Sequence, residues 1–380
     1  MANEPLRVGV IGCGRAACDL HLPALARVRD AEAIAIADPD RTALERAGDR
    51  FGVPRRSEDY RELLADEAIE AVCVAAPTHL HAEVGLAALD AGKHVFVEKP
   101  LALSLDECDL LVERATESGL TTMVGFNLRW HHHVRGAREL IQRGELGELS
   151  LLSSAFMSPS LLREVPSWRA DPARGGGLLA LQAVHHLDLW RYLLGQEIDE
   201  VLCGASRETG SGAGPGAAAV TARSAGGVRI AGAFCAVTGQ ENEFAVYGSE
   251  AWLRASLYRF DGVELMPRES TGGDLGRQAR RPGRFLSDLA RAAPRLRRGG
   301  DFKSSYQAEW RQFVDAIRHE RPTECGFEEG REVTRVLLAV LQSAEAGGAV
   351  RVEDAPRSVQ DVSRLPSAAE RSVDARNLAG

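Results

Sequence analysis

The sequence predicts an α/β protein: an N-terminal doubly wound parallel sheet, then a C-terminal α+β domain with a largely antiparallel, open-faced sheet. Three observations carry that expectation. Residues 6–125 alternate short apolar runs with longer helical stretches, the rhythm of a parallel sheet covered on both faces. After Asn127 the rhythm changes, and several strand candidates follow one another between 198 and 265, separated by turn signals such as Gly226-Gly227 and Asp261-Gly262. A chain of 380 residues, at roughly 150 per domain, has room for two domains.

In order, 6–11, 33–37, 71–75, 94–97 and 122–124 read as strands rich in Val, Ile and Ala, and 39–50, 79–91 and 104–118 as helices. Residues 1–126 form the first domain in this reading and 127–354 the second. There 134–143 is read as a helix, 148–156 as a strand and 210–219 as a surface loop. Residues 268–300 look like an insertion: between Arg277 and Arg298 stand eight arginines and one acid, Asp288. That pattern reads as a solvated segment, a clamp for an anionic group or an oligomer contact. The stretches 306–319 and 328–346 have helical spacing and are expected to pack back on the body. A polar tail, 355–380, is expected to be loose.

Composition narrows the function classes. A net charge of −8 argues against nucleic acid as the main partner, because neutralising phosphates needs a basic surface. No apolar run reaches the ~18 residues that span a bilayer, so no membrane partner is expected. The N-terminus enters a strand-like run with no signal-peptide pattern before it. Seven cysteines form no CxxC pair, which fits buried thiols in a reducing cytoplasm and no structural zinc. Of 46 basic residues only Lys93, Lys99 and Lys303 are lysines. Where arginine serves almost everywhere as the cation, a retained lysine points to a need for an amine that can exchange a proton.

Gly12-Cys13-Gly14-Arg15-Ala16-Ala17 follows the first strand and opens a helix, the context of the Rossmann dinucleotide fingerprint. Gly12 permits the tight turn, Gly14 lets a pyrophosphate approach the backbone, and Ala17 allows close helix–strand packing. Asp38 ends the second strand, where a carboxylate hydrogen-bonds the adenosine ribose. It also repels a 2′-phosphate, which favours NAD over NADP, although Arg41 nearby offsets part of that repulsion.

With these motifs, and with Ala76-Pro77-Thr78-His79-Leu80-His81, Gly92–Pro100 ending in Glu98-Lys99-Pro100, Gly125-Phe126-Asn127-Leu128-Arg129, and Gly175-Gly176-Gly177 followed by His185-His186-Leu187-Asp188, the sequence resembles the Gfo/Idh/MocA oxidoreductase family over about residues 6–355, excluding the insertion. The resemblance implies that Lys99 lies beside the nicotinamide and the reacting hydroxyl, with Glu98, Pro77, Thr78 and His81 lining the cofactor channel. It implies that the helix after the glycine run points His185 at substrate, and imidazole titrates in the range needed of a base. Helical spacing puts Leu178, Leu181 and His185 on one face. The family's usual acid four residues before that histidine is Leu181 here, so the proton relay is Lys99 with His185, helped by Gln182. Trp168 and Arg169 resemble the substrate-side segment, where an indole stacks on a sugar or simply packs. Asn127, Arg129 and His131 are candidates for facing the cleft between the domains. His186 is read as structural, and Asp188 is given no chemical role. Adjacent side chains of His131-His132-His133 diverge, so no metal is expected.

The function these signals predict is NAD-dependent hydride transfer at a secondary hydroxyl or ketone of a sugar, nucleotide sugar or cyclitol. Net glycoside cleavage through transient oxidation, and a non-catalytic sugar and NAD sensor, are the alternatives. By resemblance the chain is expected to form a homo-oligomer, a dimer or tetramer, through the open face of the second sheet.

Overall fold

The computed structural model describes residues 4–159, 166–206, 215–259, 262–269, 289, 292–293 and 300–363. Most of the arginine-rich insertion and residues 364–380 therefore lie outside the described residues. The chain divides into two compact units, Met1–Asn127 with Ser305–Thr334, and Leu128–Ser304 with Arg335–Gly380.

The first unit holds six parallel strands: β1 (Leu6–Ile11), β2 (Ala31–Ala37), β3 (Arg55–Ser57), β4 (Ala71–Val74), β5 (His94–Val97) and β6 (Thr122–Val124), in the order β3-β2-β1-β4-β5-β6. The central β4 is buried at every position, as expected of a strand covered on both faces. Helix boundaries follow from caps. Asp40 accepts from the Thr42 and Ala43 N–H groups to start Arg41–Phe51, which ends at Gly52 with φ 68°. Ser104 and Glu107 form a reciprocal capping box at the start of Leu105–Ser118.

The returning segment Ser305–Thr334 completes this unit. Trp310 and Phe313 are buried against Phe96 of β5, with ring centroids 4.8 and 5.6 Å away. The outer edge of β6 is covered too, since Val124 N–H donates to Cys325 O at 2.8 Å and Thr323 Oγ1 to Thr122 O at 2.6 Å.

The second unit holds β7 (Leu149–Met157), β8 (Ile198–Ala205), β9 (Ala217–Ser224), β10 (Arg229–Cys235), β11 (Glu241–Gly248), β12 (Ala251–Ser256), β13 (Val263–Pro267) and β14 (Val350–Arg351). Their order is β13-β12-β11-β7-β10-β9-β8-β14, and only the β7–β10 pair is parallel. Residues 217–219, expected in a loop, belong to β9, where alternating small side chains pair with β10. The helix Val184–Leu194 covers one face of this sheet. Trp190 donates to Ser154 Oγ at 2.8 Å, and its ring fills the place of a missing side chain at Gly232, where a Cβ would lie 2.5 Å from it. The opposite face exposes Leu151, Leu202, Thr221, Ala231 and Ala233. Within the tail expected to be loose, Val359–Ser363 is a short helix set against the turn Pro172–Arg174. Among the described residues no helix is long and apolar enough to cross a membrane.

Candidate active site

In the first unit the sheet order reverses at β1 and β4, and their carboxyl ends form the crevice where open α/β sheets take ligands. Gly12 stands there at φ 97°, and a Cβ on it would lie 2.6 Å from Ala75 O. Its backbone N–H donates to Ala37 O at 2.8 Å, so the loop is pinned between the two strand ends. Gly14 is the opposite case: a Cβ there meets nothing within 4 Å. That open space lies at the start of the helical run containing Ala17–His21 and Leu22–Leu25, where a phosphate could approach the backbone. Ala17 is fully buried, Ala16 is half-buried, and Arg15 is exposed with Asp19 at 3.7 Å.

Asp38 follows β2. One carboxylate oxygen accepts from Cys13 N–H at 2.6 Å and the other from Asp40 N–H at 2.8 Å. Each oxygen retains acceptor capacity for a ribose hydroxyl. Burial, with Asp38 adding to it, pushes the Cys13 thiol up to about 12, so this loop cysteine is uncharged. The geometry around Gly12, Gly14 and Asp38 fits a dinucleotide.

Lys99 comes two residues after β5 and is half-buried. Pro77, at the start of the turn Thr78–Leu80, is also half-buried, whereas Thr78, His81 and Glu98 are buried. His81 joins two loops: its Nδ1 lies 2.8 Å from Pro100 O and its Nε2 3.0 Å from Ala76 O. Burial pulls its pKa down against the pull of these two carbonyls, so the neutral ring donates to one of them. Glu98 bonds at both oxygens, with His21 Nε2 at 2.8 Å and with the Lys99 backbone N–H at 3.1 Å. Its burial raises the carboxyl pKa, but the hydrogen bond from His21, aided by the positive charge of Lys99, outweighs that and holds it below the usual range. Trp310 Nε1 in turn donates to His21 Nδ1 at 3.2 Å. His21 and Trp310 were not among the residues expected at the site. The available signal was a histidine in the apolar stripe Ala17, Cys18, His21, Leu22, Leu25. Asn127 is fully buried in this unit, and its Nδ2 donates to Ser305 Oγ at 3.0 Å.

In the second unit the glycine run has a steric cause. A Cβ on Gly176 would lie 2.5 Å from the carbonyl oxygens of both Trp168 and Arg169, so the turn Ser167–Ala170 sits directly on it. Trp168 and Arg169 are half-buried, with the guanidinium 5.5 Å from the indole centroid. The following helical run opens with a π-helical turn, Leu179–Ala183, and continues as Val184–Leu194. From Gly175 to Leu194 every residue is buried except Leu181 and His185. Leu178, expected on their face, is buried at 2% exposure, just before the π turn. His185 lies 6.2 Å from the half-buried Phe156 ring, and Gln182 is buried.

Arg129 departs from its expected role. It is buried, and its Nε lies 3.0 Å from both oxygens of the fully buried Asp188, with its Nη2 at 2.5 Å from one. Asp188 thus anchors the helix through a buried ion pair, stacked beside Tyr192 at 5.2 Å. His186 bonds Asn242 Oδ1 at 3.0 Å, and burial pushes its pKa down to about 4. His131 caps the helix His132–Gln142, accepting from His133 N–H and donating to Leu257 O at 3.1 Å; burial brings it to about 3. His133 Nδ1 lies 3.1 Å from Ser256 O. Two of the three consecutive histidines therefore strap the end of β12, and the described residues contain no cluster of three or more metal-ligating side chains.

Comparison with known proteins agrees with this geometry. Residues 6–126 match the GFO/IDH/MocA oxidoreductase family with an NAD-binding Rossmann fold, and residues 134–254 match the GFO/IDH/MocA C-terminal domain. An uncharacterized oxidoreductase of Bacillus subtilis, YrbE, is 30% identical over 358 residues, covering 92% of this chain and 98% of that protein. The myo-inositol 2-dehydrogenase of Thermotoga maritima is 28% identical over 355 residues, covering 92% and 99%. A crystal structure of a probable dehydrogenase from Thermotoga maritima superposes with a TM-score of 0.73 at 25% identity, covering 92% of this chain and all of the other.

Proposed function

This chain belongs to the Gfo/Idh/MocA oxidoreductase family, and from that premise we propose that it is an NAD-dependent dehydrogenase or reductase of a secondary hydroxyl on a sugar, nucleotide sugar or cyclitol. The observation that carries the reading is Lys99, one of three lysines, standing at the carboxyl end of β5 and anchored through Glu98. Bound NAD would supply the hydride acceptor. Gly12 permits the tight turn, Gly14 leaves room for its phosphates, Ala17 closes the helix onto the strand, and Asp38 accepts from the ribose while disfavouring a 2′-phosphate. Pro77, Thr78 and His81 shape the floor beside it.

Lys99 takes the hydroxyl proton during oxidation and returns it during reduction. His185, on the half-open stripe with Leu181, is the second proton-handling group, and Gln182, Asn127, Trp168 and Arg169 orient the substrate. Leu181 beside His185 favours a substrate that presents no hydroxyl to that position. The apolar part of the open sheet face supports assembly of copies into a dimer or tetramer.

The test is a panel of polyols, sugars and nucleotide sugars, with myo-inositol included because the Thermotoga relative bears its name. Each is incubated with NAD⁺ or NADP⁺, and nicotinamide absorbance is followed. Substrate-dependent NADH formation that disappears in Lys99→Met supports the reading. Failure of the protein to bind NADH in a fluorescence titration, or undiminished turnover in Lys99→Met, removes it.

A further inference from the structure

The hydrogen-bond chain beneath Lys99 has a fixed direction. An indole N–H can only donate, so the Trp310 contact at 3.2 Å requires a bare Nδ1 on His21. The ring proton then sits on Nε2 and is donated to Glu98 at 2.8 Å, and the other Glu98 oxygen accepts from the Lys99 backbone N–H at 3.1 Å. His21 and Trp310 are fully buried and Glu98 nearly so.

The titratable and charged groups facing His21 are Cys73 on β4, Glu98 after β5, and Tyr306 beside Trp310 on the helix Gly300–Arg318. Those facing Lys99 include Glu98 and His81. Burial disfavours a charged His21, whereas Cys73 and Glu98 favour the imidazolium and together raise its pKa well above the usual range. Opposing them is the indole: a second ring proton would point at the indole hydrogen. Electrostatics thus favours the imidazolium, and it is the geometry of the indole donor that selects the neutral ring.

We propose that Trp310 and His21 are positioning residues that hold the imidazole as the neutral Nε2–H tautomer, keep the Glu98 carboxylate ionised and aligned, and thereby set the pH at which the Lys99 amine titrates. The proposal deepens the reading of Lys99 as the proton-handling group and rests on it. Removing the His21 donor leaves a buried carboxylate that protonates more readily, so Lys99 loses the negative charge of its neighbour Glu98 and its amine titrates lower. Removing the indole lets His21 charge, and the added cation also pushes the amine down.

Two measurements on the full chain without nucleotide test this. Reductive ¹³C-methylation retains the amine charge and labels the three lysines and the N-terminal amine, and Lys99→Arg assigns the relevant signal. Histidine ¹⁵N labelling reports the His21 tautomer. The expected wild-type ring stays Nε2–H throughout the neutral range, and Trp310→Phe allows it to take up a second proton. The Lys99 midpoint is expected to fall by about one pH unit or more in His21→Ala and in Trp310→Phe. In His21→Gln, which keeps both a donor and an acceptor, it should return toward wild type. An imidazolium or an Nδ1–H ring in the wild type overturns the proposal, as does an unmoved Lys99 midpoint in Trp310→Phe. Undiminished polyol oxidation by Lys99→Met would remove the functional reading, while the tautomer and midpoint measurements still decide the chain.

Discussion

The strand-end loops of the first unit and the long helix of the second each carry one half-buried side chain of the proposed proton transfer, Lys99 and His185, on a buried scaffold, and they do so by different means. Around Lys99, polar groups bind one another in series, so Trp310, His21 and Glu98 all have hydrogen-bond partners inside the unit. Around His185 the scaffold is mainly apolar packing, with the buried Arg129–Asp188 ion pair and the His186–Asn242 bond helping to hold the helix, and among the described residues from Gly175 to Leu194 Leu181 and His185 alone are half-buried. A network of that first type constrains proton position and charge. A stripe of the second type leaves the chemistry of recognition to individual side chains, so one substitution there changes specificity without disturbing the frame.

Lys99→Met probes the contrast with the largest expected effect. Its kcat should fall about 10²–10⁴-fold while NADH binding is retained, measured by steady-state kinetics and fluorescence titration. If His185→Ala loses as much, the two units share the proton chemistry; a loss confined to KM would make His185 a binding group only. Arg129→Met comes next. Removing one partner of a buried pair should cost about 3–5 kcal/mol in urea unfolding, because Asp188 is left without its cation. A variant of unchanged stability but weakened substrate binding would return Arg129 to the role the sequence suggested.

The two regions also differ in their acid sensitivity. His186 and His131 are held neutral with values near 4 and 3, against an ordinary 6.5. The unfolded chain binds their protons first, so stability should decline as pH falls below about 6.5 and level off near the folded values, by about 3 kcal/mol for His186. Glu98 acts in a lower window. Its carboxyl is depressed below 4.5, so its contribution is present above that value and lost as pH falls through the folded one. Urea unfolding across pH, with His186→Gln flattening the upper slope, checks both. The smallest effect is expected from Asp38→Ser, where losing a charge-assisted hydrogen bond should reduce the preference for NAD over NADP by about tenfold in competition binding.

Much of the first unit was legible because backbone geometry writes itself into sequence: Gly12 is needed where a Cβ would strike Ala75, and Asp38 must end a strand. The parallel sheet followed from strand–helix alternation. What the sequence did not convey was long-range pairing. Nothing local in Trp310 says that its N–H meets His21, and nothing local in Arg129 says that its charge meets Asp188. Gly176 is a middle case: the glycine run is plain in the sequence, whereas its reason, the approach of the Trp168 carbonyl, is a contact made only in the fold. The π turn Leu179–Ala183 is another feature that helical periodicity does not carry.

The single parallel pairing in the second sheet bears on how this unit is assembled. β7 is flanked by β10 and β11, with Leu152 set between Ile230 and Val246, far later in the chain. Strands β8–β10 and β11–β13 can close as neighbouring ribbons, but they become one sheet only when the early strand inserts between them. Such high contact order slows folding. During synthesis β7 must therefore wait, unpaired, until the ribosome has delivered β10, and its second edge stays open until β11 follows.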